Sequence, residues 1–82
     1  MKPPMKLYLL RRKPDDPIGY DEACGFVVAA RSPHTARKLA ARKHGDEGEG
    51  TWLRTEYSTC EEIAARTKFI IPTVVLRDFN AG

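Results

Sequence analysis

The sequence is short of the residues that announce chemistry. It has two histidines, His34 and His44, and two cysteines, Cys24 and Cys60. No C-x-x-C pair and no closely spaced histidine pair occurs, so the ligand spacing of a structural zinc is missing. No G-x-x-x-x-G-K-[ST] or G-x-G-x-x-G stretch is present either. The one glycine-rich segment, GDEGEG (45–50), carries acids that repel phosphate, and it lacks the pattern of a calcium hand. It reads as a solvated turn. No cofactor and no metal are expected. Long apolar runs are also lacking: nothing approaches the roughly 18–20 residues of a membrane span. LYLL (7–10) is too short for a signal-peptide core. These absences argue against a membrane partner and for a cytoplasmic location, where the two thiols stay reduced.

What is present suits a folded domain. The chain has 82 residues, 41% of them hydrophobic and 30% charged, with a formal net charge of +3. That allows one domain, 1–82, with one modest core, and it is too apolar for a typical disordered chain. A small domain without bridges or metal has little stability to spare, and a homodimer is one common remedy.

MKPP (1–4) reads as a disordered lead, because paired prolines block helix and central strand. MKLYLLRR (5–12) alternates as a strand, with Leu7 and Leu9 on one face and Tyr8 and Leu10 on the other. Apolar residues at all four positions predict burial on both faces. KPDDPIGYDEA (13–23) is a loop by composition. CGFVVAAR (24–31) is a second strand, and antiparallel pairing with the first is the simplest topology. SPHTARKLAARKHG (32–45) is the clearest helix. Ser32 suits the N-cap, Pro33 the first turn and Gly45 the residue after the end, giving a helix over 33–44. Ala36, Leu39 and Ala40 form its buried stripe, while Arg37, Lys38 and Arg42 point outward. TWLRTEY (51–57) predicts a short strand around Trp52. STCEEIAAR (58–66) predicts a helix, since Ser58 with Glu61 and Thr59 with Glu62 both match the capping box. In KFIIPTVVLRDFNAG (68–82), Pro72 marks a bend and a strand follows it. Val74 and Leu76 are expected on one face, Val75 and Arg77 on the other, with the Phe79 ring tucked into the core. The order read is β-β-α-β-α-β: an α+β domain whose mainly antiparallel sheet of three or four strands carries one main helix.

No catalytic constellation emerges. A thiol at a helix start gains acidity, but Glu61 and Glu62 oppose that, and neither histidine can be placed beside Cys60 from sequence. Cys60 therefore reads as a packing residue, and the chain as non-enzymatic. Two binding surfaces compete. The loop residues Tyr20, Asp21 and Glu22 with Trp52 combine aromatic and acidic character and suit a protein partner. Arg11, Arg12, Lys13, Arg37, Lys38 and Arg42 combine a basic helix face with a basic strand end and suit nucleic acid or a nucleotide.

KLYLLRR, GYDEACGFVVAARSPHTARKLAA, DEGEGTWL, STCEE and VVLRDFNAG together resemble a group of short phage and prophage proteins with a G-[YW]-D-E loop and a terminal F-N-A-G. The chain departs from that group at KFIIP, where relatives carry polar, glycine-containing turns. The resemblance implies a compact α+β protein in a phage setting. Its function there would be binding: modulating or inhibiting a host protein or defence complex, with nucleic-acid or nucleotide binding as the alternative.

Overall fold

Alternation along the first strand sets the plan of the molecule. In the computed structural model, which describes residues 4–14 and 17–81, β1 (Lys6–Arg12) buries Tyr8 and Leu10 on one face and leaves Leu7 and Leu9 half-buried on the other. β2 (Glu22–Ala30) pairs with it antiparallel, setting Phe26 opposite Leu10 and Val28 opposite Tyr8. The chain continues through α1 (Pro33–Arg42), α2 (Gly50–Leu53), β3 (Ser58–Ala64) and β4 (Thr73–Asn80). The four strands form one antiparallel sheet in the order β3-β1-β2-β4. This is the expected α+β class, with one main helix packed on an antiparallel sheet. Of the expected lead, residues 1–3 lie outside the described residues.

α1 begins as its sequence indicates. The Ser32 hydroxyl accepts from the Thr35 amide at 3.2 Å, and Pro33 opens the first turn. Ala36, Ala40 and Ala41 join Tyr8, Leu10, Ala23, Phe26, Val28, Ala30 and Trp52 in one core. Five of those ten are alanine, which lets the helix lie close to the sheet while Trp52 and Phe26 supply the bulk. Their rings meet edge to face, centroids 4.8 Å apart, a geometry that aligns the positive ring edge with the negative face. The helix ends at Arg42, two residues before the expected end, with Lys43 as its cap.

Two assignments trade places relative to the sequence reading. The segment expected as a strand contains the single helical turn α2, and the segment expected as a helix is β3. As a helix, 58–66 would bury little beyond Ile63 and Ala64. As a strand it pairs with β1 from Arg12–Ser58 to Leu7–Ala64 and covers an edge of apolar β1. Long-range pairing therefore overrides the capping-box signal. Ser58 uses its hydroxyl elsewhere, donating to the Thr51 carbonyl at 2.7 Å. α2 is helical because the Trp52 and Leu53 amides both return to the Glu49 carbonyl.

The other departures concern faces. Burial of β1 on both sides was expected, but among the described residues no helix covers the far face of the sheet. There Leu9 lies beside Val27, and Val27 beside Leu76. One end of that face is closed: Met5 and Ala29 are buried outside the main core, where Thr67 donates to the Met5 carbonyl at 3.0 Å. β4 contains a bulge. Val74 pairs with Val28 and Leu76 with Val27, so Val75 is extra and the expected face-sharing of Val74 and Leu76 is broken. Phe79 sits opposite Ala23 and packs against the core, as expected.

Gly45 is a point of close approach. A methyl group there would overlap the Asp21 carbonyl oxygen and come within 2.7 Å of Phe79 Cε1. Gly45→Ala is expected to lower stability by about 1–3 kcal/mol, the usual range for overpacking. Urea unfolding of the two proteins, read at equal m-value, checks this.

Candidate binding surfaces

Several residues that read as surface ligands are occupied inside the fold. Glu47 leaves the acidic turn and faces inward. One carboxylate oxygen accepts from the amides of Ala23 and Gly45, each at 2.9 Å, and the other accepts from the Trp52 indole N–H. Burial alone would raise its pKa. The Trp52, Ala23 and Gly45 hydrogen bonds outweigh that and hold it below the ordinary carboxylate value.

Arg37 is the second internal tie. Its guanidinium donates to the carbonyls of Trp52 at 2.9 Å and Ser58 at 3.0 Å, and to the Ser58 hydroxyl at 2.8 Å. It closes the C-terminal end of α2 onto the start of β3 and does not point to solvent as its helical position suggested. Arg12 is likewise committed, 3.2 Å from Glu22 with its side chain almost fully buried. Of the six basic residues read as a nucleic-acid surface, Arg12 and Arg37 therefore serve the fold. Arg11 lies on the face of the sheet away from α1, and Lys13 follows β1. Lys38 and Arg42 are exposed on α1. The six do not make one surface.

The protein-binding set is divided in the same way. Tyr20 is 75% exposed, whereas Trp52 is fully buried. Glu22 is paired with Arg12 and accepts from the Gly19 amide at 3.0 Å. Asp21 takes a left-handed backbone conformation, φ 57°, and its amide and carbonyl tie the loop to Asn80 and Asp46. Tyr20 remains as the open aromatic of the four.

Cys60 lies on β3 opposite Leu10, half-buried. Burial pushes its thiol pKa up, with Arg37 pulling weakly the other way, and burial also raises that of Cys24. Neither is set up as a thiolate at neutral pH. Among the described residues, no three of His, Cys, Asp and Glu gather as a metal site.

The largest exposed apolar side chains stand elsewhere. Ile70 is 85% exposed, Ile71 66% and Leu76 59%, with Phe69, Val75 and Ile63 also open. They belong to β3, β4 and the connection between them. Among the described residues β4 is an edge strand, paired only with β2.

No protein-family model matches the chain, and no curated protein or solved structure matches it.

The sequence reading takes this segment only as a bend at Pro72 before the last strand and draws nothing from its apolar residues. The available signal was FII directly before Pro72: three apolar residues at a chain bend cannot all turn inward. No helix among the described residues is long and apolar enough to cross a membrane, so nothing in the helices offers a lipid-spanning use for them.

Two outcomes follow. Glu47 has a depressed folded pKa, so its stabilisation is complete above the ordinary carboxylate value of about 4.3 and is lost as pH falls through the folded value. Glu47→Gln should therefore be less stable than the parent at neutral pH, with the gap narrowing in acid; denaturant midpoints across pH check it. Cys60, with its raised pKa, should react with iodoacetamide at neutral pH more slowly than an unstructured cysteine peptide, measured by mass spectrometry of the alkylated peptide.

Proposed function

We propose that this chain is a non-enzymatic binding module that docks a partner protein along β4 and the connection leading into it. The observation that carries this reading is the exposed apolar set of Ile70, Ile71, Val75 and Leu76 beside an unpaired strand edge. Apolar side chains grouped on the surface of a small domain mark interaction sites. An edge strand offers free backbone donors and acceptors to an extended segment, and pockets for its alternate side chains give specificity.

The two edges of the sheet differ in a way that favours β4. At the β3 edge Glu61 and Glu62 are exposed, Glu62 pairs with Lys6 at 3.3 Å, and the pairing with β1 is bulged. Charges and bulges are how edges are kept from adding strands. β4 also has a bulge, but it presents Val75 and Leu76 before its first charge at Arg77. The expected partner segment is extended and carries apolar residues at alternate positions. The phage-type resemblance supplies the partner class, a host protein or defence complex, and a cytoplasmic setting suits the unbridged Cys24 and Cys60. This moves the protein-binding surface from the Tyr20 loop and Trp52 to β4.

The test uses a partner recovered from nuclease-treated host lysate, purified and titrated against the chain. Ile71→Ser and Leu76→Ser should each weaken binding by about 1–2 kcal/mol, with Tyr20→Ala close to neutral. Amide exchange of β4 should slow in the complex. The reverse pattern, loss with Tyr20→Ala and none with the β4 variants, would return the interface to the loop.

A further inference from the structure

Where α1 ends against β4, four nitrogen-bearing side chains surround one depression. It has a volume of about 550 Å³ and is lined by Arg42, Lys43, His44, Val74 and Arg77. No carboxylate is in that lining. We propose that this depression binds the phosphate group of a phosphorylated small molecule, independently of the protein-docking reading of the β4 edge.

Arg77 is the reason the cluster is more than a basic helix end. Its Nε donates to the Lys43 carbonyl at 2.8 Å, and its guanidinium carbon lies 4.1 Å from the centre of the Phe79 ring. The group is thus held from its Nε side and across one face. Nη1 and Nη2 have no hydrogen-bond partner among the described residues. A guanidinium fixed in that way presents a donor pair suited to two oxygens of one phosphate, with little ordering left to do on binding.

The neighbours complete the site. Arg42 and Lys43 are exposed and make no side-chain bond among the described residues. His44 Nδ1 sits 2.7 Å from the Gly45 carbonyl, which places a proton on Nδ1 and leaves Nε2 unengaged. Asp78, next to Arg77 in sequence, registers opposite Gly25 on the other face of the sheet and does not neutralise the cluster.

Basic residues also gather at helix ends simply to balance the C-terminal dipole. Here the Arg77 Nε–H already serves the Lys43 carbonyl, so its Nη donors and the Arg42 and Lys43 charges are surplus to that task. A phosphoryl group, with a charge of roughly −1.5 to −2 at neutral pH, answers the surplus. Lys38, one turn before Arg42 on α1, adds a single exposed charge beside the cluster, and the other basic side chains of the candidate set do not carry it on into a track. Arg11 lies on the far face, and Arg12 and Arg37 are bound internally. A compact anion therefore fits better than a polymer backbone.

The experiment is an amide-detected NMR titration of the full chain with inorganic pyrophosphate at low salt. Binding should move the amides of residues 42–44 and 74–77. Arg42→Gln and Arg77→Gln should each weaken it by about tenfold or more, the usual worth of a hydrogen bond to a charged group. Lys68→Gln removes the same charge outside the cluster and should change it by less than about twofold. Arg42 has no partner to lose, so its variant tests the site even if Arg77→Gln disturbs Phe79. Equal weakening by all three variants, or no shift in these amides, would overturn the proposal. ATP competing for the same amides supports a nucleotide source. Failure of ATP together with oligonucleotide affinity that grows with length would also overturn it, by pointing to a polymer.

Discussion

A single carboxylate holds the irregular half of this protein to its sheet. Glu47 takes hydrogen bonds from Ala23 in β2, from Gly45 after α1 and from the Trp52 indole in α2. Those donors come from three parts of the chain that share no regular pairing. Without such an acceptor the Trp52 N–H would be buried unpaired, which costs about 1–3 kcal/mol. With it, the largest side chain of the core can lie fully inside and meet Phe26 edge to face. The acidic turn that reads as solvated is therefore partly an internal anchor. Its other acids remain outside.

Arg37 does for the second half of the chain what Glu47 does for the first. It gathers the end of α2 and the start of β3, reaching the Trp52 and Ser58 carbonyls. The two groups sit on either side of Trp52, one accepting a hydrogen bond from its indole N–H and one donating to its carbonyl. They are not paired with each other: Glu47 is compensated by two backbone amides and the indole N–H, Arg37 by backbone carbonyls and the Ser58 hydroxyl. This arrangement fixes the junction between α2 and the start of β3. It also removes a positive charge from the surface, as the Arg12–Glu22 pair removes one of each sign. The charge available for binding is thus not the charge counted along the sequence. It concentrates where no internal acceptor claims it, at the end of α1.

What could be read from the sequence follows the range of the forces involved. α1 was legible because its Ser32 cap, Pro33 and alanine stripe are all local. β1 and β2 were legible because alternation of apolar residues is local too. The strand at 58–64 was not, because its stability comes from pairing with residues some fifty positions earlier, and its local signals favour a helix start. The site residues failed for the same reason. Trp52, Arg12 and Arg37 look like ligands by type, and only the tertiary fold shows that their polar atoms are spent. Conversely Arg77 looks unremarkable until the Lys43 carbonyl and Phe79 ring are seen to orient it.

The bulge at Val75 connects the two proposed surfaces. In an unbroken strand, Leu76 would share a face with Val74 and point at the core, and Arg77 would point away from α1. The extra residue shifts the phase by one position. Leu76 then falls opposite Val27 on the open face, while Arg77 falls opposite Phe26 on the helix side, within reach of the Lys43 carbonyl. A side chain that would have added to a thin core is exposed, and a cation that would have been solvated is ordered against the end of a helix. The same shift brings Phe79 to the core side opposite Ala23 and turns Asp78 to the far face, so the bulge exchanges Leu76 for Phe79 in the core while it orders Arg77 against the end of α1.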